Sequence, residues 1–91
     1  MLEGRTKVVN RLGLHARAAA LLVRRAGAFK SSIILARTDQ DASANAKSIL
    51  SVLGLAASFG TELQITVDGD DEMQALEEIQ TLFANRFGES A

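Results

Sequence analysis

Leu12-Gly13-Leu14-His15-Ala16-Arg17-Ala18-Ala19 is the stretch at which an extended segment gives way to an Ala- and Leu-rich run of strong helix propensity. It holds the only histidine of the chain. Gly13 permits the turn into the helix. A histidine at the first residues of a helix lies beside backbone N–H groups that lack a partner within the helix, and beside the positive end of its dipole. Anions collect at such places. Imidazole titrates near neutrality, so a nitrogen of His15 can attack a phosphoryl group and hold it, and the Arg17 guanidinium can supply the opposing charge. The plainer alternative is a cap or a surface histidine, and the surrounding residues have to decide between the two.

Before this stretch, residues 5–10 read as a strand, with Thr6 and Val8 on one face and Lys7 and Val9 on the other. After it, the spacing predicts a helix over residues 16–28, in which Ala19, Leu22, Val23, Ala26 and Phe29 form the core stripe. Arg17, Arg24 and Arg25 fall outside that stripe. They are either solvated or, for Arg24, part of a basic rim that extends from Arg17 and attracts acidic partners. Residues 31–37 read as a second strand, with Ile33 and Leu35 inward and Ile34 on the other face. The turn-forming Thr38-Asp39-Gln40-Asp41 returns the chain antiparallel into a short strand over residues 42–45, which are poor strand formers. Residues 61–68 form the clearest strand, with Leu63, Ile65 and Val67 inward. A last helix over residues 71–87 is expected to bury Met73, Leu76, Ile79, Leu82 and Phe83. The order βαββαβα implies an α+β two-layer sandwich, a four-stranded antiparallel sheet with three helices on one face, in a single domain over residues 1–91.

The helix over residues 47–55 is the odd element, because Ile49, Leu50, Val52, Leu53, Leu55 and Ala56 are apolar around most of its circumference. A helix in a two-layer domain turns only part of its surface inward. Single exposed apolar side chains are ordinary, but Ile49, Leu50 and Leu53 together are better explained as a patch that docks another protein.

Composition excludes several classes of function. Hydrophobic residues make up 47% and charged residues 23%, as in an ordinary folded domain. A net charge of −1 without a basic, aromatic-bearing stripe argues against nucleic-acid binding. Without cysteine there are no disulfides, thiolate metal sites or thiol chemistry, which suits a reducing cytoplasm. No apolar run approaches a membrane span, and the charged Met1-Leu2-Glu3-Gly4-Arg5 is not followed by a signal-peptide core, so no direct membrane insertion is expected. The cluster Asp68-Gly69-Asp70-Asp71-Glu72 lacks calcium-loop spacing and reads as a turn and helix cap, leaving no metal site.

Gly13-Leu14-His15-Ala16-Arg17 resembles the active-site signature of the HPr-like phosphocarriers of the bacterial phosphotransferase system, and Lys47-Ser48-Ile49-Leu50 resembles that family's regulatory serine segment. The similarity runs over about residues 5–87. One departure is Ala18, where the family usually has proline. It bears on the stiffness of the first helical turn more than on the chemistry.

The resemblance implies a cytoplasmic, monomeric carrier that needs no cofactor. His15 would take a phosphoryl group, derived from phosphoenolpyruvate, from a histidine of enzyme I and pass it to a histidine of enzyme IIA. The family uses the Nδ1 nitrogen. The amides of Ala16 and Arg17 would receive phosphoryl oxygens, and Arg17 would neutralise charge during transfer. Partners would meet Arg24, Ile49, Leu50 and Leu53. Ser48 is a candidate helix cap; the resemblance makes it a substrate for an HPr kinase/phosphorylase that would tune contacts with enzyme I and regulatory proteins. Two alternatives stay open. One is the nitrogen-type branch of the family, favoured by Asn10-Arg11-Leu12-Gly13 and Leu82-Phe83-Ala84-Asn85-Arg86-Phe87. The other is a regulatory binding module of the same fold that transfers nothing.

Overall fold

The computed structural model describes residues Met1–Ala91. Its elements are β1 (Leu2–Lys7), α1 (Ala16–Gly27), β2 (Ser32–Arg37), β3 (Ser43–Asn45), α2 (Ile49–Gly54), β4 (Glu62–Asp68) and α3 (Glu72–Ala84), followed by a 3₁₀ turn over Arg86–Gly88. The four strands form one antiparallel sheet in the order β1-β4-β2-β3. This is the expected two-layer α+β architecture. No helix is long and apolar enough to cross a membrane.

Alternation along the strands builds one side of the core. Ile33 and Leu35 of β2 and Leu63, Ile65 and Val67 of β4 are fully buried, whereas Ile34 points to the open face of the sheet. Register aligns them, with Ile33 opposite Val67 and Leu35 opposite both Ile65 and Ala44. The helices supply the other side: Ala18, Ala19, Leu22 and Ala26 from α1, Val52 from α2, and Ala75, Ile79, Leu82 and Phe83 from α3. Together with their neighbours these make one buried cluster. At six residues, α2 is far too short to hold itself together in water. Val52 and the Leu55 that follows, both in the core, anchor it.

Three expectations need correction. β1 runs over Leu2–Lys7 and not over residues 5–10: Val8, Val9 and Asn10 lie beyond its end, and it starts earlier because Gly4 is a close-approach residue and not a strand breaker. A Cβ on Gly4 would come within 2.9 Å of the Leu76 side chain, so α3 lies directly on the strand at that point. Met73 is 69% exposed, and Ala75 takes the core position assigned to it. Steps of three residues turn about 300°, so a stripe drawn from Leu82 back to Met73 drifts through about half a turn and ends on the opposite face. Finally, α3 stops at Ala84 and does not reach Phe87. Arg86 and Phe87 both adopt left-handed backbone, with φ of 57° and 54°. Because this conformation costs a non-glycine residue about 1–2 kcal/mol, something must hold it. Phe87 is 1% exposed and meets Phe83 edge to face, with ring centroids 4.9 Å apart; burying a side chain of that size contributes about 1.5–3 kcal/mol.

The acidic cluster is a turn, as expected, but its carboxylates stitch more than they cap. Asp71 stands at the N-cap of α3 without making a cap bond. It accepts instead the backbone N–H of Lys30 at 2.8 Å and of Ser31 at 3.0 Å, and the Ser31 hydroxyl at 2.5 Å. The Ser31 hydroxyl and these amides bring the Asp71 carboxyl down to about 2. Glu72 accepts the N–H of Gly69.

Candidate functional site

Gly13 has φ +73°, and a Cβ there would strike the Ala57 carbonyl at 2.9 Å and the Ser58 Cα at 3.0 Å. Only glycine fits the turn. Leu14 follows it into the core and donates its N–H to the Ala57 carbonyl at 2.9 Å. That anchors the next residue. His15 is the N-cap of α1, its backbone is extended, and its ring makes no cap bond. The first amide of the helix to find a partner is that of Ala19, bonded to the His15 carbonyl at 2.8 Å. The N–H groups of Ala16, Arg17 and Ala18 are therefore free at the positive end of the helix. Ala18 is buried, whereas the amides of the exposed Ala16 and Arg17 are placed to suit phosphoryl oxygens.

The turn after α3 brings a second group of residues to this place. His15 Nε2 lies 2.5 Å from Glu89 Oε2, and Arg17 donates through one terminal nitrogen to the same oxygen at 3.1 Å and to the Phe87 carbonyl at 3.0 Å. The other Glu89 oxygen accepts from Asn10 Nδ2 at 3.0 Å, and Asn10 Nδ2 also donates to the Gly13 carbonyl at 2.8 Å. Asn10 is fully buried. The Asn10 amide, seconded by the His15 ring, holds the Glu89 carboxyl below the usual carboxylate range. His15 itself is accessible, at 29% of its side chain, and its Nδ1 makes no hydrogen bond within the chain.

Asn10, Glu89 and the Phe87 carbonyl join His15 and Arg17 at this place, and no pattern of residues pointed to these three. Asn10 and Glu89 are 79 residues apart, and no periodicity connects them. Of the docking residues, Leu50 is 79% exposed and Ile49 and Leu53 38% each, so α2 does present an apolar patch. Arg24 is exposed and unpaired, while Arg25 bonds Glu78 at 3.0 Å. Ser48 is the N-cap of α2 and accepts the Ser51 N–H at 3.3 Å.

Fold and site together define a class: a small open-faced sandwich that presents one histidine at a helix start. Residues 2–85 match the family model described as the PTS HPr component phosphorylation site. The chain is 46% identical over 89 residues to the phosphocarrier protein HPr of Treponema pallidum, covering 98% of this chain and 99% of that one. It superposes on an HPr structure from Thermoanaerobacter tengcongensis with a TM-score of 0.92, at 36% identity over the whole of both chains. A dimer form of HPr from that organism aligns with a TM-score of 0.76 at 37% identity, over 98% of this chain and 100% of that one. The chain belongs to the HPr family of phosphocarrier proteins.

Proposed function

We propose that this chain, as one cytoplasmic domain and a monomer, relays phosphoryl groups from a histidine of enzyme I to a histidine of enzyme IIA through His15. The observation that carries the reading is the placement of the sole histidine, with an unbonded Nδ1, beside the free amides of the exposed Ala16 and Arg17 at a helix start. In the accepting step the Nδ1 lone pair forms a bond to phosphorus as the donor's P–N bond breaks, and the electron pair of that bond returns to the donor ring. Free amides and the unbonded nitrogens of Arg17 receive the equatorial oxygens. Positioning and charge suffice for such a transfer. Arg24 and the exposed Ile49, Leu50 and Leu53 form the surface on which partners dock.

Incubation with enzyme I and phosphoenolpyruvate should add one acid-labile phosphoryl group to the chain and none to His15→Ala. Normal labelling of that variant would overturn the assignment. Ser48 is read as the site of an ATP-dependent HPr kinase/phosphorylase, because a phosphate there would set two negative charges beside Ile49, Leu50 and Leu53 and weaken docking. The nitrogen-type branch is the second reading, supported by Asn10-Arg11-Leu12-Gly13 and by the segment ending in Phe87; the enzyme IIA that accepts the group separates the two.

A further inference from the structure

We propose that Glu89 is a positioning residue for the chemistry of His15: braced by Asn10, it holds the ring through Nε2–H and leaves the Nδ1 lone pair facing the incoming phosphorus. This rests on the relay reading above. An ionised carboxylate can only accept hydrogen bonds, so at 2.5 Å the ring must be the donor. When the ring is neutral its proton is then on Nε2 and its lone pair on Nδ1. The partner set supports the ionised state, since its two other neighbours, Asn10 Nδ2 and Arg17, can only donate to it.

Asn10 shows that the arrangement is built. Its amide is fully buried, and its nitrogen faces two acceptors, the Gly13 carbonyl and Glu89 Oε1. The opposite orientation would set its oxygen against both, so the donor side is fixed. Its Oδ1 is left buried without a partner. Orphaned buried acceptors are destabilising, and this one accompanies the bond that aims Glu89 at the ring.

The step needs no proton to move. As the Nδ1–P bond forms, the ring keeps its Nε2 proton and becomes a phosphorylated imidazolium, whose positive charge lies against the Glu89 carboxylate. When the group leaves, the P–N electron pair returns to Nδ1 and the starting tautomer is restored. Carboxylates that orient a metal-binding histidine through its other ring nitrogen matter by about tenfold or more, and an effect of that order is expected for a nucleophilic one.

The experiment compares wild type, Glu89→Gln and Glu89→Ala by imidazole ¹⁵N shifts at alkaline pH and by the rate of phosphoryl uptake from enzyme I. Wild type should show the Nε2–H tautomer almost alone. Glu89→Ala should show the tautomer mixture of free imidazole and accept phosphoryl about tenfold more slowly. Glu89→Gln keeps an acceptor for Nε2–H but loses the charge, so it should retain the tautomer and lie between the two in rate. An unchanged tautomer in Glu89→Ala overturns the proposal, whatever the rate. So does faster uptake, which would mean that the carboxylate competes with the phosphoryl group for Arg17. Failure of wild type to take up phosphoryl would overturn the relay reading instead, and the ¹⁵N spectra would still judge Glu89.

Discussion

Arg17 is more than a surface cation, since one of its terminal nitrogens ties α1 to Phe87 and Glu89 across at least 70 residues of chain. Arg17→Ala should therefore lose part of the transfer rate and also about 1 kcal/mol of stability, where an unbonded surface arginine would change stability by less than about 0.5 kcal/mol. Arg17→Lys should keep some of the rate, because a point charge replaces a planar fork. Rates with phosphorylated enzyme I and urea melts of the same samples check both statements. Ala18, one residue on, is buried but its N–H has no partner. Ala18→Pro thus removes no hydrogen bond. It should be tolerated and raise stability by about 0.4–1 kcal/mol through the unfolded chain. A loss measured in a thermal melt would show that the ring finds no room beside the core.

Among the elements, the connector after α3 carries the largest consequence. Phe87 holds two left-handed residues in place and leads Glu89 to the histidine. Phe87→Ala should cost about 3 kcal/mol or more in a urea titration. It should also slow phosphoryl uptake although it touches no reacting atom. Wild-type uptake in that variant would show that Glu89 finds His15 without the buried ring. On α2, Leu50→Asp should weaken enzyme I binding while the fold survives, because a side chain 79% exposed contributes little to the core. Raising the salt should restore little of that affinity, since lost apolar contact is not screened. Unfolding of Leu50→Asp would show that the residue is a core anchor. Elements with a repeating signal were legible beforehand: the alternation of Leu63, Ile65 and Val67 marks β4, and the Ala19, Leu22 and Ala26 spacing marks α1. The connector was not legible. The one glycine of the turn is Gly88, so the left-handed Arg86 and Phe87 before it read as the last residues of a continuing helix, and Asn10 and Glu89 look like ordinary polar residues until the fold brings them together. His15 stood out because it is unique in composition, a signal that needs no fold.

For the molecule as a whole, acid is the revealing variable. The carboxyls of Asp39, Asp71, Glu72 and Glu89 are all held below their ordinary values by donors in the folded chain. A lowered folded pKa adds stability that is complete above the unfolded value and fades as pH falls through the folded one. For Asp71 that window runs from 3.8 down to about 2. Unfolding followed between pH 5 and pH 2 should therefore show falling stability, and Asp71→Asn should be less stable at neutral pH and flatter over the same interval. A variant whose curve parallels wild type would mean that the Lys30 and Ser31 contacts are not formed in solution. Assembly of the histidine's surroundings from both ends of the chain also sets a clock. Glu89 is added 74 residues after His15, which at roughly 5–20 residues per second is an interval of about 4–15 s. During each round of synthesis the nucleophile exists for seconds before its carboxylate partner does. A nascent chain that has not yet received Glu89 therefore carries its nucleophile without the residue that orients the ring, and full speed of phosphoryl uptake arrives only when residue 89 has been added and has folded back onto residue 15.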